Sequence, residues 1–357
     1  MAKFSVVSTD SHVSIPPGEL AARLPKRFRD EATSRNVIED LGSEQLQKMR
    51  RSAERAKAKM NEEDLERSRA GGWDPELRLV DQDRDGVSAE IMFGPLFFDN
   101  SEVPGLDLAV SQAFNDWSRE VFGSYFNRLM PSAAVAVADI PAAVAEIERI
   151  AKLGFTCVNL PAQQPHLPYN RRDYDPLWAA LQDTGIVANF HIGTGHLPQG
   201  ERGPGGPTIN YVLHAQGDGP NVVSYLCSSG VLERFPGLQW AVVESDAAWL
   251  PWVLQSMDHI HHKHHMFQRE WDELELLPSE YFKRQGHVCF MDDAVAVYTR
   301  KFAGVHTLMF GTDYPHHEGT FPHTQETVER IFQGVPDEEI RMMVGGNAAK
   351  LYGLDVH

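Results

Sequence analysis

AAVAVADIPAAVAEIERIAKLGFTCVNL, residues 133–160, contains one complete repeat of the architecture. It opens on an apolar run, Ala133 to Val137, and closes on a second, Thr156 to Leu160. Neither run alternates polar with apolar residues, which marks strands covered on both faces. Between them PAAVAEIERIAKL repeats its apolar residues at helical spacing. Pro141 stands in its first turn and Gly154 just past its end, the two positions where a helix favours those residues. A strand, a helical crossover and a second strand predict a parallel pair.

The same rhythm extends outward in both directions. Six more runs have the length and composition of buried strands: Phe4 to Ser8, Ala89 to Phe93, Val187 to His191, Gln239 to Val243, His287 to Phe290 and Thr307 to Gly311. Asp175 to Thr184 reads as another helix, stopped by Gly185. Eight strands alternating with helices predict a single (β/α)8 TIM barrel over residues 1–357. Two stretches break the pattern. Residues from about 39 to 85 are densely charged and read as a helical insertion after the first strand: a solvated surface excursion, or a cap over the mouth or a dimer element. Gly193 to Gly219, rich in Gly and Pro, reads as a long mobile loop.

Apolar residues form 42% of the 357, enough for a large core. No apolar run is long enough for a membrane span. MAKFSVVSTDSHV turns polar too early for a signal peptide, so a cytoplasmic location is expected. Cys157, Cys227 and Cys289 are scattered and suit a reducing compartment better than a disulfide frame. A net charge of -17 opposes a nucleic-acid backbone as partner. A small-molecule substrate and a homodimer are the expected partners.

Metal-binding residue types recur where the strands end. Asp10 and His12 follow the first run two residues apart, on one face of an extended segment. His191 closes the fifth run, Glu244 the sixth, and Asp313 follows the eighth. In a barrel these ends meet at one mouth. Imidazoles beside carboxylates suit one divalent first-row ion: Zn, Mn or Fe. His316 and His317 follow the eighth strand closely and are candidate substrate contacts. Phe93, Phe97 and Phe98 offer an apolar wall for a ring-shaped substrate, or ordinary core packing. His287 faces either the pore or a helix. His196 and His214 lie on the expected loop. His259, His261, His262, His264 and His265 read as a polar helix away from the mouth.

TDSHV (9–13), FPGLQWAVVESDAAWLPWVL (235–254), FGTDYPHHEG (310–319) and GGNAAKLYGL (345–354) together resemble the amidohydrolase superfamily. Within it the resemblance is to the group that includes aminocarboxymuconate-semialdehyde decarboxylase and γ-resorcylate decarboxylase. It covers nearly the whole chain. It implies a mononuclear site with Asp10, His12, His191 and Asp313 as ligands, and Asp313 also handling protons. It also implies a catalytic histidine at the sixth strand, where this chain has Glu244. A carboxylate there can act as acid or base, or bind the metal. The leading expectation is a hydrolase of a small cyclic or aromatic amide, lactone or ester, using a metal-activated water. The alternative is a non-oxidative decarboxylase or hydratase of a carboxylated aromatic or muconate-like compound. A metal-stabilised binding protein without turnover is the third reading.

Overall fold

Every apolar run becomes a strand in the computed structural model, which describes residues 4–16, 18–29, 71–94, 103–163, 167–195, 201, 203–264, 274–316 and 318–355. In chain order the strands are β1 (Val6–Ser8), β2 (Val87–Met92), β3 (Leu129–Pro131), β4 (Ala133–Ala134), β5 (Cys157–Pro161), β6 (Val187–His191), β7 (Trp240–Val243), β8 (Gly286–Phe290) and β9 (Leu308–Phe310). All pairings are parallel, in the orders β1-β2-β3 and β4-β5-β6-β7-β8-β9. The third strand is interrupted at Ser132. Before the break it pairs with β2, and after it with β5. The Ser132 N–H still donates to the Met92 carbonyl at 2.7 Å. At the other seam the Thr9 N–H donates to the Phe310 carbonyl at 2.9 Å, which joins the first strand to the last and closes the barrel.

Side-chain alternation divides the strands into two packing layers. Val7, Ile91, Val187, Ala241, Val243, Cys289 and Met309 point inward. Val6, Val158, Phe190, Trp240, Val288 and Phe310 point outward into the main core with the helices. Both layers exclude water, which is why the runs show no alternation. The barrel floor is closed by the C-terminal helix Asn347–Tyr352. Tyr352 is 1% exposed, and its hydroxyl donates to Asn189 Oδ1 at 2.8 Å.

The crossover helix is Ile140–Lys152, capped by the Asp139 carboxylate accepting from the Ala142 N–H. It buries Ala143, Ile147 and Ile150 against the strands. The helix Pro75–Asp85 reverses that chemistry. Its inner face carries Arg78, Asp81, Gln82 and Asp85, while Leu77 and Val80 are exposed. It is the described end of the expected insertion; residues 39–70 lie outside the described ones. The expectation of one long loop over Gly193 to Gly219 is corrected. Described residues there form a helix, Gly206–Ile209, continued by a π-helix, Asn210–Ala215. Gly205 precedes it with a φ of 76°, and Pro207 occupies its first turn, so the Gly and Pro content starts a helix here. Among the described residues no helix is long and apolar enough to cross a membrane.

His287 shares the inward face of β8 with Cys289, toward the floor. Burial, opposed by a hydrogen bond to the Trp240 carbonyl, pushes its pKa down to about 4. An unfolded histidine titrates near ~6.5. The neutral ring therefore contributes its full stability above that value, and this is lost as pH falls toward 4. Urea unfolding at pH 7 and pH 5 is expected to show a smaller acid-induced loss in His287→Asn than in the parent chain, by up to about 1.4 kcal/mol per pH unit. Equal losses in both would show that His287 is not protected.

Candidate metal centre

The residues expected at the mouth converge there. Asp10 and His12 lie in an extended segment past β1, tied to both neighbouring strand ends. The His12 N–H donates to the Tyr314 carbonyl at 2.6 Å, and the Val13 N–H to the Phe93 carbonyl at 2.8 Å. His191 is the last residue of β6 and points inward in register with Val187 and Asn189. Glu244 follows β7 directly. Asp313 follows β9, and its N–H donates to the Asp10 carbonyl at 2.8 Å. Glu244, Asp246 and Asp313 have φ values of 60°, 49° and 53°. Side chains with a Cβ seldom adopt this left-handed backbone, which costs on the order of 1–3 kcal/mol per residue. Here it turns two carboxylates toward the pocket.

One donor atom each from Asp10, His12, His191 and Glu244 lies within 4.8 Å of the others; the same holds for His12, Glu244, Asp313 and His316. His191 Nε2 is 2.8 Å from Glu244 Oε2 and 3.5 Å from Asp10 Oδ1. His12 Nε2 is 3.1 Å from Asp313 Oδ1 and 3.6 Å from Glu244 Oε2. These approaches lack hydrogen-bond geometry. Asp10 Oδ1, both imidazole Nε2 atoms and both Asp313 oxygens are buried without a hydrogen-bond partner. Such groups are costly to bury unless something binds them. The His191 ring is also pre-oriented: its Nδ1 is 2.9 Å from the Ile192 carbonyl. A carbonyl only accepts, so Nδ1 carries the proton and Nε2 offers its lone pair to the pocket.

The electrostatics ask for positive charge. Burial alone would push the His12 imidazole down, yet the Asp313 and Glu244 carboxylates raise it to about 9. His191 is likewise raised, by Glu244 and Asp10 against the effect of burial. Burial works to raise the Glu244 and Asp313 carboxyls. The imidazoles beside them, His191 and His12 for Glu244, His12 and His316 for Asp313, prevail and hold both below the ordinary range. Burial raises Asp10. Two inward imidazole nitrogens and three carboxylates, with oxygens of Asp10 and Asp313 uncommitted, are the donor types a divalent ion takes, and Asp10, His12, His191, Asp313 and Glu244 fit one.

The remaining candidates fall in different places. His316 is at the mouth, with Nδ1 2.8 Å from Asp313 Oδ1 and its ring stacked 3.9 Å from that of His12. Phe93 is fully buried with its ring 4.9 Å from that of His191, so it packs against that imidazole. Phe97, Phe98, His317, His196 and His265 lie outside the described residues. His214 is exposed on the π-helix, and His259 and His262 are exposed on the helix Leu250–His264. Tyr211, on the π-helix, is in electrostatic reach of the mouth: burial first, then Glu244, Asp246 and Asp313, raise its pKa.

Sequence reasoning missed Arg78. Its guanidinium is fully buried. Nε donates to Glu90 Oε2 at 2.7 Å and Nη1 to the His12 carbonyl at 2.8 Å, and the group lies 4.8 Å from the Tyr314 ring. Nearby, the Tyr314 hydroxyl donates to Asp81 Oδ2 at 2.7 Å. The polar face of the helix Pro75–Asp85 thus clamps the segments that carry His12 and Asp313. A polar stripe at helical spacing was the available signal, but solvated faces have the same pattern.

A family model described as Amidohydrolase matches residues 9–354. No curated protein sequence matches the chain. Among solved structures, the chain is similar to an amidohydrolase from Mycobacterium avium subsp. paratuberculosis K-10, at 17% identity and a TM-score of 0.76, covering 99% of this chain and 100% of that one. It is also similar to a 5-carboxyvanillate decarboxylase from Novosphingobium aromaticivorans with bound manganese, at 17% identity and a TM-score of 0.72, covering 98% and 97%. A third is 2,6-dihydroxybenzoate decarboxylase from Rhizobium, at 18% identity and a TM-score of 0.67, covering 99% of each chain. At these identities the likeness establishes the fold.

Two outcomes follow from this geometry. His191→Ala is expected to lower the tightly held divalent-ion content by about tenfold or more after dialysis, with the circular dichroism spectrum retained. Full metal content would remove His191 from the ligand set. Arg78→Met leaves the Glu90 charge buried without its partner and is expected to cost roughly 3–5 kcal/mol in chemical unfolding. A loss below about 1 kcal/mol would deny the clamp.

Proposed function

The chain belongs to the amidohydrolase family, and from that premise we propose that it is a metal-dependent, non-oxidative decarboxylase of a ring-substituted aromatic carboxylic acid. The observation that carries this reading is the donor set at the barrel mouth: buried carboxylates and imidazoles aimed at one point with their inner atoms uncommitted. The likeness to decarboxylases of 5-carboxyvanillate and 2,6-dihydroxybenzoate supports the substrate class. Asp10, His12, His191 and Asp313 would hold the ion, with Glu244 beside them. Three carboxylates make the set hard and anionic, which favours Mn or Fe over Zn. When bound, the ion supplies positive charge for the substrate carboxylate and an adjacent ring oxygen.

The chain's own residues supply the rest. Asp313 is placed to exchange a proton, since Oδ2 is buried and unengaged. Glu244, at the mouth beside both imidazoles, accepts a hydrogen bond from a ring hydroxyl and orients it. Asp313 takes a proton from solvent and passes it to the ring carbon that bears the carboxylate. The carbon–carbon bond then breaks, its electron pair returns to the ring, and carbon dioxide leaves without consuming water.

One observation favours a second reading, hydrolysis of a cyclic or aromatic amide, lactone or ester. Glu244, where the resemblance implies a histidine, stands in both donor groups at the mouth, and a carboxylate there suits a base that takes a proton from attacking water. A homodimer is also part of the proposal. Val295, Tyr298 and Phe302 form an exposed stripe on the helix Ala294–Ala303, and Trp252 is exposed on the helix Leu250–His264 that packs against it. A single surface of this kind suits a self-complementary contact.

The test incubates manganese-loaded protein with 2,6-dihydroxybenzoate, 5-carboxyvanillate and related acids in deuterated water. Carbon dioxide release is expected, with one deuterium at the vacated carbon. Asp313→Asn is expected to keep the fold and some of the metal while turnover falls by roughly three orders of magnitude or more. Ester or lactone hydrolysis, with no carbon dioxide from any acid, would give the site to the second reading.

A further inference from the structure

The His191 imidazole is held from behind by a peptide that is itself held from behind. The carbonyl that takes the Nδ1 proton, 2.9 Å away, belongs to the bond joining Ile192 to Gly193. In a trans peptide the N–H points away from the C=O. On that far side the Gly193 N–H donates to Asp218 Oδ2 at 2.8 Å. One peptide plane therefore sits between an imidazole on one edge and a carboxylate on the other. His191 and Asp218 are fully buried and Ile192 is nearly so, so the chain of bonds runs in a poorly screened interior.

Asp218 is the first residue of the helix Asp218–Ser228 and belongs to neither donor group at the mouth. Its other oxygen, Oδ1, accepts from the Gln163 side-chain amide. An N–H group at each oxygen is the pattern of a carboxylate, which accepts and has no proton to give. The turn after His191 has other supports. The Thr194 hydroxyl donates to the His191 carbonyl at 2.6 Å and accepts from the Ala162 N–H at 2.7 Å, and the Gln163 N–H donates to the Thr194 carbonyl at 3.2 Å. What Asp218 adds is negative charge at the outer end of the Ile192–Gly193 dipole. Hydrogen bonds in a buried chain polarise one another. The carboxylate draws on the N–H, the carbonyl oxygen gains electron density, and the Nδ1 proton is held more firmly. Nε2 then becomes a stronger donor toward the pocket. Metal-binding histidines rest directly on a carboxylate or carbonyl for this purpose; here the carboxylate stands one peptide further out.

We propose that Asp218 is a positioning residue for the metal centre, acting on His191 through the Ile192–Gly193 peptide. It fixes the proton on Nδ1, aims Nε2 at the ion and strengthens it as a ligand. The inference rests on His191 as a ligand and not on the reaction assigned to the site.

The test combines Mn2+ titration calorimetry on chelator-dialysed full-length protein with nitrogen-15 NMR of the Zn2+-loaded form. In the parent chain the His191 proton is expected on Nδ1, with the ion on Nε2; the opposite arrangement would overturn the relay. Asp218→Asn keeps the shape and an oxygen for the Gly193 N–H but removes the charge. It is expected to weaken Mn2+ by about ten- to hundredfold, with the circular dichroism spectrum retained, and to move the Nδ1 proton resonance upfield. Asp218→Glu restores the charge in a longer side chain and is expected to bind Mn2+ more tightly than Asp218→Asn. The reverse order would make the effect one of fit and overturn the proposal. In a His191→Ala background Asp218→Asn is expected to change the residual Mn2+ affinity by less than about twofold, because the relay then ends on no ligand. The same loss in both backgrounds, or parent affinity in Asp218→Asn, would remove Asp218 and leave the metal centre standing. A parent chain that binds neither ion would overturn the centre itself and the relay with it.

Discussion

The structure depends on a seam between residues some three hundred positions apart. The Ser8 hydroxyl donates to the Asp10 carbonyl at 2.7 Å and accepts from the Thr312 N–H at 2.9 Å. The Asp10 carbonyl also receives the N–H groups of Thr312 and Asp313. These bonds close the barrel and, in the same few residues, aim Asp10, His12 and Asp313 at one point. Fold closure and site assembly are therefore a single event. The polar groups of the seam are buried, so each must be matched, and the matching fixes the register to a single residue.

A second layer of buried polarity holds the seam from outside. Arg78 reaches the His12 carbonyl and Glu90. Ser11 donates to the same Glu90 oxygen at 3.1 Å. Asp85 accepts from the Thr324 N–H at 3.0 Å. An apolar helix face would pack here but would leave those partners unsatisfied. The left-handed backbone at Glu244 and Asp313 has the same logic, since local strain is tolerated where surrounding contacts over-determine the conformation.

Much of this was legible in the sequence, for definite reasons. Strands buried on both faces leave apolar runs, and each expected run holds a strand, although Leu129–Pro131, the first part of the third strand, was missed. The break at Ser132 was missed too, because handing a strand from one neighbour to the next changes hydrogen bonding and not composition. Asp10, His12, His191, Glu244 and Asp313 could be placed because strand ends in a barrel share a mouth. How Glu244 meets both imidazoles could not, since that depends on a backbone turn at φ 60° with no residue-type signature. Arg78 was hidden because a buried polar stripe and a solvated one read alike. At Gly205 and Pro207, residues that suggest a loop also start a helix, and the context decided.

The seam also bears on how the chain is made. A ribosome delivers β1 with Asp10 and His12 long before Leu308 to Asp313 exist. Through most of synthesis the growing sheet has two raw margins, β1 and β8, each with unpaired backbone groups that can recruit a neighbouring nascent chain. The last fifty residues bring β9, the Asp313 carboxylate and the helix that closes the floor. The finished protein escapes that hazard only when its final strand arrives. A chain cut short there would lose a ligand and would also present two adhesive borders, making premature termination a matter of aggregation as much as of lost activity.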